Sequence, residues 1–355
     1  MRVLKQALFA CGVMIISAPA MAQIPKAPDG KPDLTGFWTH ASLTPLARAP
    51  ANKTLVVTEE QAKRIASGYA MAGVTEEGFK GATYSDPSKG APPKGGKDFG
   101  VQAYDSFWMD PGSNLAFVKG EWRTSAIVEP TNGQMPLKDP AADAKKRKLR
   151  RETYEAGNAN YDGPEVPTLG ERCIIIGSKG GPGMLSGLYN NTYEFVQTAD
   201  HMVMLAESVH DARIVPIFTT SEDARLNRRP SALKPWFGDT VGWWEGDTFV
   251  METINVNPRQ AEDHVFPLSE KGVVTERFTR TSAEDILYEF SVNDPETYTQ
   301  PWKAELSFYP SKGGLYEYAC HEGNYGMHGI LAGAREMERR AAAQSAKAKT
   351  VKGGQ

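Results

Sequence analysis

Tyr316-Glu317-Tyr318-Ala319-Cys320-His321-Glu322-Gly323-Asn324 sets a cysteine, an imidazole, a carboxylate and an amide side by side where a strand-like run ends and a helix begins. A second cluster, Glu207-Ser208-Val209-His210-Asp211-Ala212-Arg213, also closes an apolar alternating run. An imidazole that titrates near neutrality, with carboxylates beside it, is the usual equipment for moving a proton. His210 or His321 is therefore the expected base, and Glu207 or Glu322 the acid or the orienting carboxylate. On an extended strand His210 and Asp211 face opposite sides, so Asp211 meets the ring only through a bulge, and otherwise pairs with Arg213 on its own face. Arg172, Arg213, Tyr189 and Asn191 are donors suited to a developing oxyanion. Asn190, Asp211, Asn324, Trp236 and Trp244 complete the expected substrate contacts. The competing reading makes the upstream cluster a structural polar network, with Cys320 bridged, His321 exposed and Glu322 capping the next helix together with Asn324.

Other chemistries lack their residues. Glu207-x-x-His210 has the spacing that di-iron carboxylate proteins use on helices, but here it follows a strand. His321 and His328 add ligands only if the fold brings them close. There is no Cys-x-x-Cys, His-Glu-x-x-His or calcium-loop motif, so no metal is expected, and turn chemistry accounts for Asp247. No Gly-x-Ser-x-Gly elbow occurs, Gly177 to Gly183 lacks a phosphate-binding pattern, and no βαβ unit is visible. The expected chemistry is cofactor-independent.

The N-terminus reads as an export signal: Arg2 and Lys5, an apolar run from Ala7 to Ser17, and Ala20-Met21-Ala22 as the cleavage site before Gln23. No other segment approaches the roughly 20 apolar residues of a membrane span. Loss of residues 1–22 leaves 38 basic against 43 acidic residues and moves the net charge from −3 to −5. That balance argues against nucleic acid and against an anionic membrane surface. A periplasmic or secreted protein with a small-molecule substrate or ligand is expected. Cys173 and Cys320 remain after processing, and in an oxidising compartment two cysteines read first as a disulfide, ahead of two buried free thiols.

The elements that must position these groups are mainly strands. Gly36-x-Trp38 lies in a short strand, and Thr58-Glu59-Glu60-Gln61 is a capping box that opens a helix to about Tyr69. Residues 72–100 form a Gly-, Pro-, Lys- and Ser-rich loop. Arg123 to Glu129 reads as a strand, and Asp139-Pro140 opens a helix whose basic cluster is a solvated face. Cys173 to Ile176 is strand-like. Hairpins then follow at 193–207, 241–256, 273–292 and 301–320, with turns at Ala199-Asp200, Glu245 to Asp247, Ser282 to Asp285 and Lys312 to Gly314. A helix from about Met327 to Ala346 precedes a Lys- and Gly-rich tail. The expectation is one β-barrel-like domain over 23–335 with a loop- and helix-rich insertion at about 45–165, followed by a helix end and tail at 336–355. The fold class is mainly β: an antiparallel meander that hides its edges by closing into a barrel, preferred here to a two-sheet sandwich. Gly-x-Trp, a late meander and a terminal helix together resemble lipocalin-like (calycin) barrels, in which that Trp closes the floor. Barrels of about eight strands can hold one small ligand.

Several motifs also resemble a large family of exported, mostly uncharacterised bacterial proteins. They are Glu171-Arg172-Cys173, Tyr189-Asn190-Asn191, Val209 to Arg213, Trp236-Phe237-Gly238-Asp239, Gly242 to Thr248, Thr275 to Phe278, Tyr316 to Asn324 and Ile330 to Arg335. The resemblance implies that these segments gather into one site, and it supplies no reaction. Ser186 and the Gly-rich Gly177 to Gly183 depart from the family's pattern. The residue set suits elimination, hydration or isomerisation of a small apolar or aromatic molecule by a lyase- or isomerase-type enzyme. The alternative is a periplasmic carrier with the same barrel and no turnover.

Overall fold

The computed structural model describes residues 24–68, 110–154 and 161–353. The export signal and the 72–100 loop fall outside these residues. Strands β1 (Gly36–Thr39), β2 (Val56–Val57), β3 (Phe117–Val118), β4 (Glu121–Arg123) and β5 (Ile127–Glu129) come early in the chain. They are followed by β6 (Thr192–Gln197), β7 (His201–Ala206), β8 (Ala212–Phe218), β9 (Asp239–Glu245), β10 (Thr248–Ile254), β11 (Val273–Ser282), β12 (Asp285–Asn293) and β13 (Trp302–Pro310). Helices α1 (Glu59–Ser67), α2 (Pro140–Tyr154), α3 (Ser221–Leu226), α4 (Pro258–Asp263) and α5 (Tyr325–Gly353) are interspersed.

Nine strands close into a barrel in the order β1-β6-β7-β8-β9-β10-β11-β12-β13, with β13 returning to β1 through Trp38 opposite Pro310 and Thr39 opposite Tyr309. This is the lipocalin-like class of barrel. The hairpins expected at 193–207, 241–256 and 273–292 form its walls, at 192–206, 239–254 and 273–293, because each alternates inward apolar and outward polar residues across a short turn. One seam differs from a pure meander: β8 and β9 run parallel, Ile217 beside Gly242 and Phe218 beside Trp243. Helix α3 and the segment after it carry the chain back to make this possible. Trp38 lies on β1 and faces inward. Its ring is buried, its Nε1 donates to Leu34 O at 2.9 Å, and the Arg280 guanidinium lies 5.1 Å from the ring centroid.

The barrel is packed, and this corrects the expectation of a ligand held inside it. Tyr193, Phe195, Phe249, Phe278, Tyr288, Phe290 and Phe308 fill the interior. Neighbouring rings meet at 4.9 Å (Phe278–Tyr288), 5.4 Å (Tyr288–Phe308) and 5.8 Å (Phe195–Phe278). A barrel of this size is just wide enough to be filled by its own side chains.

Three strand expectations fail, each for an identifiable reason. Leu315 to Cys320 is not a strand, because β1 and β5 already occupy the edges of β13 that a hairpin partner would use. Cys173 to Ile176 is a turn, with Cys173 at φ +56° and the Cys173 and Ile174 amides donating to Gly170 O and Leu169 O. Arg123 to Glu129 is broken, since the Thr124 and Ala126 amides turn aside to Leu55 O and Pro45 O as the chain passes from the small β2-β4-β3 sheet to the barrel. Thr58 and Gln61 do form the reciprocal capping box of α1. Helix α5 begins close to its expected start and continues past Ala346 to Gly353.

Candidate functional site

The polar residues collect at the barrel end opposite Trp38, where the chain from 177 to 191 enters the mouth as a plug. The Gly183 amide donates to Glu276 Oε1 at 3.2 Å and the Met184 amide to Tyr288 Oη at 2.8 Å. Gly181, at φ +90°, passes so close to Arg213 that a Cβ there would lie 2.3 Å from Nη1. Gln260 of α4 ties plug to wall, its Nε2 donating to Gly181 O at 2.9 Å while its Oε1 accepts from the Phe237 amide at 2.7 Å.

Beneath the plug, Arg213 and Glu276 form an ion pair at 2.6 Å, and Tyr288 donates to the same carboxylate at 2.6 Å. Both charged side chains are almost wholly inaccessible. Burial, reinforced by the Glu276 charge, holds the Tyr288 hydroxyl well above its ordinary pKa, so it stays a donor. Arg213 thus faces Glu276 and Thr253 rather than Asp211 or solvent. Alternation with Val274 and Phe278 directs Glu276 inward, a signal readable in the sequence.

Above this pair lies Lys179, which sequence reasoning missed inside the glycine run. It is buried, and its Nζ donates to Tyr189 O, to Asn190 O at 3.1 Å and to Asn191 Oδ1 at 3.0 Å. Burial pulls its ammonium down to about 8, while Glu207 and Asp110 oppose that shift. Asn191 Oδ1 also accepts from the Gly187 amide at 2.7 Å, and Asn190 Nδ2 donates to Glu207 Oε1 at 2.9 Å. The expected Tyr189-Asn190-Asn191 and Glu207 therefore do meet, organised by a buried cation.

Glu207 and His210 do not form a pair. After β7 a 3-10 turn, Ser208–His210, points Glu207 inward and leaves His210 exposed. Val209 (φ +61°) and His210 (φ +52°) are successive left-handed residues, a conformation costly above all for β-branched valine. His210 Nε2 accepts from the Tyr318 amide at 3.3 Å, so the downstream cluster crosses directly over the turn. Asp211 follows, half-buried, with neither a hydrogen bond nor an ion pair from any described side chain, and burial pushes its carboxyl up to about 7.

The strap over the turn is anchored by the Cys173–Cys320 disulfide, with Cα atoms 5.7 Å apart. Asn324 Nδ2 adds a bond to Glu171 O at 2.8 Å, and Asn324 Oδ1 caps α5 by accepting from the Met327 amide. His321 and Glu322 are exposed and paired with no described side chain. Arg172 likewise has no side-chain partner among the described residues. Trp236 is exposed near the mouth, whereas Trp244 packs on Phe249 at the floor, so those two are not brought together.

Of the seven non-glycine residues with positive φ among the described residues, Cys173, Asn190, Val209, His210, Phe237 and Asn255 belong to this end. The seventh, Lys119, forms the β3–β4 turn with Gly120. Strain gathered in this way accompanies functional sites. Among the described residues no three His, Cys, Asp or Glu side chains converge to hold a metal, and no helix is long and apolar enough to cross a membrane. The fold and site define a closed nine-strand barrel with a plugged, disulfide-strapped mouth. Comparison with family models, curated proteins and solved structures finds no match.

Proposed function

We propose that the protein is an exported, cofactor-independent acid–base enzyme, of lyase, hydratase or isomerase type, that acts on a small apolar or aromatic molecule at the Ser208–Asp211 turn. The observation that carries this reading is the unpartnered, half-buried Asp211 carboxyl beside His210, on a turn held by two left-handed residues. A carboxyl at about 7 is present in both protonation states at neutral pH and can take a proton and return it. His210 is the second proton carrier, held by the Tyr318 amide. Glu207, Asn190 and Lys179 act behind the turn as positioning residues, since all three are tied to one another or to the plug. The exposed His321 and Glu322 lie outside the proton transfer.

The purified protein, with Asp211→Asn and His210→Ala in parallel, is incubated with a mixed library of aromatic, terpenoid and steroid compounds. Mass spectrometry then reads new masses and retained ligands. A product made by the wild type alone is expected, and its mass change names the reaction. Product formed equally by both variants removes these residues from the mechanism, and a compound retained unchanged by all three proteins makes the protein a carrier.

A further inference from the structure

Lys179 and Asn191 make a pair inside the plug that the turn does not use. Both side chains are buried. Lys179 Nζ lies 3.0 Å from Asn191 Oδ1, and a carbonyl bond of about 1.2 Å puts the Cγ carbon no more than about 4.2 Å from Nζ. The side-chain amide is fixed at both of its polar atoms. Its Oδ1 also accepts from the Gly187 amide at 2.7 Å, and its Nδ2 donates to Gly187 O at 2.9 Å and to Asp110 O. Lys179 is fixed in turn by Tyr189 O and by Asn190 O at 3.1 Å.

These contacts suit a reaction between the two side chains. Burial pulls the ammonium down to about 8, against the pull of Glu207 and Asp110, so a share of free amine is present at neutral pH. A desolvated lysine amine is a nucleophile, and Asn191 Cγ is the side-chain carbonyl carbon in front of it. The Gly187 N–H already rests on Oδ1, where attack at Cγ builds negative charge. Glu207 supplies a proton carrier. It is buried, its charge acts on Lys179, and Asn190, the neighbour of Asn191, holds it through a 2.9 Å bond. The oxygens in contact with Nζ are neutral, and keeping a buried charge on them is costly. A reaction that removes the charge relieves that cost.

We propose that Lys179 and Asn191 join through an intramolecular isopeptide bond, with Glu207 as the proton relay. Nζ attacks Cγ, the bond from Cγ to Nδ2 breaks, and Nδ2 leaves as ammonia. The proton shed by Nζ passes to Glu207 and from there to the departing nitrogen. An amine and a primary amide become a secondary amide and ammonia, with no oxidant, reductant or co-reactant. The product closes the plug covalently between residues 179 and 191, beneath the strap. It forms whether or not the protein turns over a substrate at Asp211.

Peptide mapping of the purified protein by mass spectrometry, after reduction of the disulfide, tests the bond. Trypsin cleaves an unlinked chain after Lys179 and releases 173–179 and 180–213. The bond abolishes that cleavage, so a single 173–213 species lighter by one ammonia is expected. Chymotrypsin, cutting after Leu188 or Tyr189, should then leave two pieces still joined through Lys179 and Asn191. Free 173–179 together with unmodified 180–213 from the folded wild type overturns the proposal. So does loss of ammonia at Asn191 with cleavage after Lys179 intact, which is the signature of a succinimide. The wild-type map decides between these outcomes without any variant. Glu207→Gln, confirmed as folded by circular dichroism, should be unlinked when freshly purified, and a fully linked variant overturns the relay.

Discussion

Replacing Asp211 with asparagine should stabilise the protein above neutrality and leave its stability unchanged in acid. The carboxyl sits at about 7 in the folded protein against an ordinary 3.8, and burial without a partner is the cause. Each unit of that gap corresponds to about 1.4 kcal/mol, so ionising Asp211 costs the fold at most about 4 kcal/mol. Solvent at the half-buried site screens the charge, and a working figure is about 1–2 kcal/mol. The sign follows from proton counting. Below about pH 4 the group is protonated in both states and nothing is lost. Between about pH 4 and pH 7 the unfolded chain releases its proton while the folded one keeps it, so stability falls as pH rises, and above about pH 7 the penalty is complete. Asparagine does not titrate and escapes it. Urea unfolding of both proteins at about pH 4 and about pH 8 reads the effect as a midpoint difference at constant slope. The difference should be near zero in acid and favour asparagine in base. An equal difference at both pH values refutes the reasoning, because it removes the desolvated carboxyl on which the proposed proton transfer depends. If turnover is lost as stability is gained, Asp211 is a destabilising group kept for function.

Cys320→Ser frees the strap from a closure spanning 147 residues, and thermal or urea unfolding should show a loss of about 2–4 kcal/mol that reducing agent reproduces in the wild type. Gly181→Ala places a methyl group 2.3 Å from Arg213 Nη1 at a φ of +90°, and a loss of at least about 2 kcal/mol is expected; a neutral result would mean that the plug does not seat against Arg213. Arg213→Ala leaves Glu276 buried without its cation, which should cost about 3–5 kcal/mol in urea unfolding, a loss too large for a surface ion pair.

The walls of the barrel were legible because their alternation and short turns are local properties. Tyr193 to Thr198 against His201 to Glu207 needs nothing beyond its own residues to pair. Tyr316 to Cys320 carries the same local signal and is not a strand, because strand formation also requires a free edge, and β1, distant in sequence, had taken it. Cys173 to Ile176 misled for a related reason: an apolar run fits a turn equally well once its cysteine is bridged 147 residues away. The site residues divide along the same line. Tyr189 to Asn191 and Glu207 were visible as chemically dense segments, but the cation that unites them stands among glycines and has no periodicity to reveal its burial. Arg213 was expected to pair with Asp211, two residues away. It faces Glu276 instead, because a charge directed into the barrel must find its counterion among inward positions.

That inward pairing explains why the turn above it is available for chemistry. Arg213 is consumed by Glu276, Tyr288 and the plug complete that network, and Lys179 spends its donors on the 189–191 segment. The two buried cations, Arg213 and Lys179, are thus committed, and Asp211, which an arginine two residues away would otherwise hold ionised, is left to titrate near neutrality. The left-handed Val209 and His210 keep it so. An extended strand there would continue the alternation of β8, whereas the turn breaks the register and sets Asp211 beside the strap. Such strain persists only where surrounding structure over-determines it, and here the disulfide, the Tyr318 amide and the Asn190–Glu207 bond supply that constraint from three sides.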